Sequence, residues 1–226
     1  MCSRYSLTSP PEAVRQMFRY VEAPEFPPRY NIAPTQPVAI VRQAPSGSRH
    51  FQLVRWGLIP SWCKDPGAFT TLINARGETL LEKASFRGAV RHKRCLVPAD
   101  GFYEWTGPKG AKRPFLIRPR AGGPMAFAGL AEDWLGADGS EIDTMAIVTV
   151  PANTTVAPVH DRMPAILPPE AFDAWLDCRG VRAEEAMTLI GPAPADRLEM
   201  IEVSAKLNNP RAEGPELQEA VRTTLF

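Results

Sequence analysis

Cys2 is the residue with the most distinctive chemistry in this 226-residue chain. A small residue after Met1 permits removal of that methionine, which leaves a free α-amine on the carbon bearing the CH₂–SH group. The product is a 1,2-aminothiol, with an amine pKa of about 8 and a thiol pKa of about 8.5, so both are partly nucleophilic at neutral pH. An aldehyde would condense with the amine to a Schiff base, and the thiol would then close a five-membered thiazolidine. A cysteine at position 2 says little alone; its weight comes from polar side chains elsewhere. Asn74 lies in Ile73-Asn74-Ala75-Arg76-Gly77-Glu78-Thr79, and Glu104 in Pro98-Ala99-Asp100-Gly101-Phe102-Tyr103-Glu104-Trp105. His160 lies in Pro158-Val159-His160-Asp161-Arg162-Met163-Pro164. Glycines, prolines and aromatics flank each, the usual setting of a site at a strand end or loop.

Each has a plain reading beside the chemical one. His160 is either a structural histidine or a general acid/base working near neutral pH. Glu104, in an apolar run, is either paired with an arginine or has a raised pKa suited to proton transfer. Asn74 either orients an amine or closes a turn. Arg4, Arg76 and Arg162 each lie within two residues of one of these positions and suit phosphates. Trp62, in Arg55-Trp56-Gly57-Leu58-Ile59-Pro60-Ser61-Trp62, and Trp105 would stack on bases or pack in the core. Cys63, Cys95 and Cys178 sit among apolar neighbours and read as inert thiols. No C-x-x-C pair or zinc-ligand spacing occurs, so neither metal nor cofactor is expected. With a net charge of +1, affinity for nucleic acid has to come from a local patch. Arginine far outnumbers lysine, which leans toward phosphate binding, although a GC-rich genome produces the same bias.

The elements that must position these groups are short. Twenty-four prolines imply many turns. A helix is expected over 9–22, with Ser9 as N-cap, Pro10 in the first turn, and Val14, Met17, Phe18 and Val21 on one face. Strands are expected at Val38–Arg42, Gln52–Trp56, Cys95–Pro98, Phe115–Arg118, Met125–Leu130, Thr144–Val150 and Met200–Val203. Modest helices fall near Ser85–Arg91, Pro169–Leu176 and Ala183–Ile190, and Thr106 to Pro114 reads as a hairpin loop. The pattern predicts an α+β fold: a single domain over 1–226 with a largely antiparallel, barrel-like β core and peripheral short helices. The tail from about residue 204 is expected to pack loosely, with a helical piece near Glu216–Arg222. No apolar run is long enough to span a bilayer and the N-terminus lacks a signal peptide's apolar stretch, so a cytoplasmic protein without membrane contact is expected.

Taken together with Met-Cys at the start and Arg29-Tyr30-Asn31-Ile32-Ala33-Pro34-Thr35, these segments resemble the SRAP (SOS-response-associated peptidase) family from Cys2 to about Val203. The resemblance implies a protein that captures the ring-opened aldehyde of an abasic site in single-stranded DNA through processed Cys2. It implies that Asn74 positions the Cys2 amine, Glu104 acts near the Schiff base, and His160 assists sugar-ring opening and reversal. Arg76 and Arg162 match the family's DNA-backbone contacts and Trp62 and Trp105 its aromatic contacts; apart from the resemblance, Arg4 is expected to hold a flanking phosphate too, and the protein is expected to be a monomer. The family usually has glycine where Ser3 stands; glycine reaches backbone angles that serine adopts only at a cost, so a small shift of Cys2 is expected. Two other classes remain open: a thiol peptidase using Cys2, His160 and Glu104, and a non-catalytic reader of a modified base. Crosslinking needs the free amine and the thiol, a peptidase needs the thiol and His160, and a reader needs neither.

Overall fold

The computed structural model describes residues 2–221. In chain order the elements are β1 (Tyr5–Leu7), α1 (Pro11–Phe18), β2 (Arg29–Ile32), β3 (Pro37–Gln43), β4 (Arg49–Trp56), β5 (Asn74–Arg76), α2 (Arg87–His92) and β6 (Arg94–Ala99). There follow β7 (Gly101–Thr106), β8 (Arg113–Pro119), β9 (Met125–Leu135), β10 (Glu141–Pro151), β11 (Arg162–Pro164), β12 (Ile166–Leu167), α3 (Phe172–Leu176), α4 (Ala183–Ala186) and β13 (Leu198–Glu202).

The β-branched and aromatic runs of β3, β4, β6, β9 and β10 pair in a ring, each hydrogen-bonded to the next and β9 closing on β10. Closure leaves no strand edge within the ring, and Ile40, Val97, Phe127, Leu130 and Ile147 are completely buried. The ring is antiparallel except where β4 meets β10 in parallel; β5 also runs parallel to β10. A second, open antiparallel sheet has the order β13-β8-β7-β1-β2. The sheets are joined through Tyr5, whose ring lies edge-on to Trp56 at 5.3 Å and to Phe127 at 5.9 Å. The barrel-like α+β fold is thus present. Gly57 matters to it: its φ is +135°, its N–H bonds Met145 O, and an added Cβ would lie 2.3 Å from the Thr71 side chain.

Several local expectations change. The helix expected over 9–22 covers only Pro11–Phe18, because Arg19 turns left-handed (φ 56°) and ends it; Val21 is exposed beyond that end. Ser9 is not the cap: Pro10 holds that position, and the Ser9 hydroxyl donates to Asp100 at 2.5 Å. The tail is anchored rather than loose. Leu207 and Leu217 are fully buried against Tyr103, Leu116 and Val203, and Asn31 Nδ2 donates to Asn209 O and Ala212 O at 3.1 and 2.8 Å. The piece expected near Glu216–Arg222 is a 3₁₀ turn at Pro215–Gln218, and Arg222 lies outside the described residues. Among the described residues no helix is long and apolar enough to cross a membrane.

Candidate active site at the junction of two sheets

Cys2 enters the protein just ahead of β1 and is completely buried. The strand that follows is short, but both its edges are paired, Tyr5 with Ile32 on one side and Phe102 on the other. The ladder continues outward as Tyr103 N–H donates to Arg4 O at 3.0 Å, which places β7 and its Glu104 beside the entering chain. Ser3 has no positive φ, since Arg19 and Thr35 are the only non-glycine residues with one among those described. Serine therefore fits here without backbone cost, and the expected displacement does not arise from that source.

From the barrel side, Asn74 opens β5 and its Nδ2 donates to Cys2 O at 2.7 Å. Its Oδ1 is buried with no hydrogen-bond partner, so one half of the amide grips the main chain of Cys2 while the other half is an open acceptor. An acceptor of that kind suits an amine or a substrate hydroxyl. Burial is also the main influence on the Cys2 thiol and the Glu104 carboxyl. It pushes the Cys2 thiol far above its ordinary value, with the nearby Glu104 charge adding to the effect. It raises the Glu104 carboxyl to about 7, against the opposing pull of the chain's amino-terminal charge. A carboxyl at that value gives and takes protons at neutral pH.

His160 closes a turn whose start is fixed by Asn153, the Oδ1 of which accepts from Thr155 and Val156 N–H at 3.1 and 3.0 Å. Burial, and then the same amino-terminal charge, lower the imidazole's pKa, which favours its neutral form. That charge thus acts on both Glu104 and His160, and Asp161 acts in turn on Glu104. The Arg162 N–H donates to His160 Nδ1 at 2.9 Å.

The basic and aromatic residues separate into different settings. Arg4 is half-buried; its guanidinium donates to Asn31 Oδ1 at 2.7 Å and lies 5.6 Å from the Trp105 ring centroid. Arg4 and Trp105, with Ser3, Gly110, Lys112 and Asn208, line a hollow of about 420 Å³ next to Cys2. Arg76 is exposed at the end of β5. Arg162, by contrast, is buried, and its guanidinium is committed to both carboxylate oxygens of Glu78 and to Thr149 O. A phosphate would have to displace Glu78 to reach it. Trp62 is 55% exposed and stands elsewhere, edge-on to Phe69 and beside Ala84. Its hollow shares none of the residues around Cys2.

Cys2, Asn74, Glu104, His160, Arg4 and Trp105 therefore form one neighbourhood. Two residues of consequence lie within the quoted motifs, but nothing in sequence singled them out or named their partners. Asn31, wholly buried, ties Arg4 to the tail, and Glu78 holds Arg162; both pairings bridge residues far apart in the chain.

Residues 1–210 match the family model described as SOS response associated peptidase (SRAP). The chain is 39% identical over 225 residues to the Abasic site processing protein YoqW of Bacillus subtilis, covering 97% of this chain and all of that protein. It is 36% identical over 234 residues to the Abasic site processing protein HMCES of Gallus gallus, covering 89% of this chain and 69% of that one. A crystal structure of a Bacteroides thetaiotaomicron protein superposes with a TM-score of 0.84 at 26% identity, over 97% of this chain and 100% of that one. A Bordetella bronchiseptica structure gives 0.78 at 29%, over 90% and 100%. With the match running through nearly every element that builds the Cys2 junction, this chain belongs to the SOS response associated peptidase family.

Proposed function

We propose that this chain processes abasic sites in single-stranded DNA by forming a covalent link through Cys2 once Met1 has been removed. Its relatives YoqW and HMCES bear the name of abasic site processing proteins. The observation that carries the reading is the meeting of Asn74 from the barrel with Cys2, beside a Glu104 carboxyl raised to about 7.

The steps follow from the groups present. His160 relays a proton to open the furanose to its aldehyde. The Cys2 amine adds to C1′ to give a carbinolamine, and protonated Glu104 donates to the departing hydroxyl. Water leaves and an iminium remains. The Cys2 thiol then adds its sulfur to C1′ and its proton goes to the Glu104 carboxylate, so that one water is lost overall and both acids return to their starting states. Holding amine, thiol and aldehyde together raises their effective concentration greatly. Arg76 and Arg4 bind the flanking phosphates, and Trp105 stacks on a base beside the lesion. The protein acts as a monomer, with β-elimination of an unclosed Schiff base as a lyase side reaction.

A thiol peptidase would need the Cys2 thiolate, which burial and Glu104 both disfavour. The amine-first route has no such requirement. The test is a denaturing gel of processed protein with a single-stranded oligonucleotide carrying one abasic site. A heat-stable shifted band is expected from processed protein, and none from Cys2→Ala or from protein with a blocked N-terminus. A band of equal strength from the blocked form would refute the role of the amine.

A further inference from the structure

Glu78 takes no part in the steps above, yet it is bonded to the residue that holds His160. It sits in the 3₁₀ turn Gly77–Thr79 directly after β5, the strand that carries Asn74. Gly77 lets this turn lie close to β10, since a Cβ there would approach Ile190 Cδ1 at 3.0 Å and Thr149 O at 3.4 Å. Across β10, Arg162 opens β11. Thr149 pairs with Arg76 on one edge and with Pro164 on the other, so β5 and β11 flank the same stretch of β10. The Arg162 side chain spans that stretch: Nη2 donates to Glu78 Oε2 at 2.8 Å and to Thr149 O at 2.6 Å, while Nη1 bonds Glu78 Oε1.

The other end of Arg162 bears on the imidazole. Its main-chain N–H points at His160 Nδ1, 2.9 Å away, and Asp161 Oδ1 is also 2.9 Å from Nδ1. One nitrogen cannot satisfy both. A bare Nδ1 accepts from the amide and leaves the proton on Nε2; a protonated Nδ1 donates to Asp161 and loses the amide. The Asp161 side chain is 86% exposed, so water weakens its pull, whereas Arg162 is fixed at the backbone by pairing with Pro151 and at the guanidinium by Glu78.

We infer that Glu78 is a positioning residue: by clamping Arg162 it holds the Arg162 amide against His160 Nδ1 and so keeps the His160 proton on Nε2. The clamp also ties the β5 segment that grips Cys2 to the β11 segment that presents His160, giving the aminothiol and its proton relay a common frame. The inference rests on the proposed role of His160, but its test reads the tautomer separately from the reaction.

The test is imidazole ¹⁵N NMR of full-length protein near pH 8, with His160 assigned by loss of its signals in His160→Gln, alongside crosslinking rates. Wild type is expected to show a pyridine-type Nδ1 and a pyrrole-type Nε2. Glu78→Ala is expected to shift His160 toward the Nδ1–H form and slow crosslinking about 10-fold, less than the roughly 100-fold lower bound for losing an acid/base outright. Glu78→Asp should recover part of both effects. Should Glu78→Ala fail to fold, Glu78→Gln gives the same two readings with the shape of the side chain kept. An unchanged His160 tautomer in folded Glu78→Ala, or in folded Glu78→Gln where Ala does not fold, overturns the inference whatever happens to the rate. Wild-type crosslinking by His160→Gln would instead overturn the proton-relay reading.

Discussion

The closed barrel and the junction beside it bury side chains equally well and use burial to opposite ends. In the barrel, Ile40, Leu96, Val97, Phe127, Leu130 and Ile147 are all inaccessible to solvent, and each is apolar. Removing such surface from water stabilises the fold by roughly 25 cal/mol per Å². At the junction, Cys2 and Asn31 are inaccessible too, and Glu104 and Arg162 nearly so. Burying an ionisable carboxyl there works against folding, but the same desolvation lifts Glu104 to about 7, where it can exchange protons. Closure makes this division workable: a ring without edges supplies stability, and the open sheet brings polar groups to its rim.

Four substitutions break or sharpen that contrast. Cys2→Ala removes the thiol and leaves an α-amine that can form only a reversible Schiff base, so it should lower stable crosslink to below detection on a denaturing gel, while chemical denaturation shows the barrel intact. Phe127→Ala, at the barrel's centre, should do the reverse. It is expected to cost about 3–5 kcal/mol in a urea melt, with crosslinking by the folded fraction largely retained. Glu104→Gln should slow crosslinking about 100-fold below pH 7, measured by quenched time courses. In wild type the dehydration step should slacken above pH 7 as the carboxyl loses its proton, and the variant should lack that limb. The sign for stability is also fixed. Glu104 holds its proton more tightly folded than unfolded, so wild-type stability declines as pH rises from the ordinary carboxylate range to about 7. Glu104→Gln should flatten that decline. The smallest effect is Arg76→Ala, which should weaken DNA binding about 3-fold to 10-fold irrespective of sequence and reduce the salt slope by about one.

The same contrast governs what was legible in the sequence. Barrel strands such as Pro37–Gln43 and Met125–Leu135 contain the apolar runs on which Val38–Arg42 and Met125–Leu130 are expected, although the second strand continues past its run through Glu132 and Asp133. Of the junction's strands, Tyr5–Leu7, Asn74–Arg76 and Arg162–Pro164 have three residues each, too short for any alternation to register, while Gly101–Thr106, which carries Glu104, opens on a glycine and is not among the expected strands. The candidate residues stood out through residue type and motif, but their partners did not. Whether Arg162 faces solvent or a carboxylate depends on Glu78, 84 positions away, and the order of the tail depends on Asn31 and on Leu207 and Leu217 finding Tyr103. Trp62 looked equivalent to Trp105 by type, yet only Trp105 lies beside Arg4.

The central claim is that both the amine and the sulfur of Cys2 become bonded to the abasic sugar. The most direct measurement is mass spectrometry of the crosslinked product after nuclease and trypsin digestion, with alkylating reagent added before proteolysis. The N-terminal peptide Cys2-Ser3-Arg4 contains no other thiol and no other primary amine. The account predicts this peptide carrying the sugar remnant with one water lost and with no alkylation of its sulfur. An adduct whose Cys2 sulfur is alkylated, or an adduct on any other peptide, would contradict it.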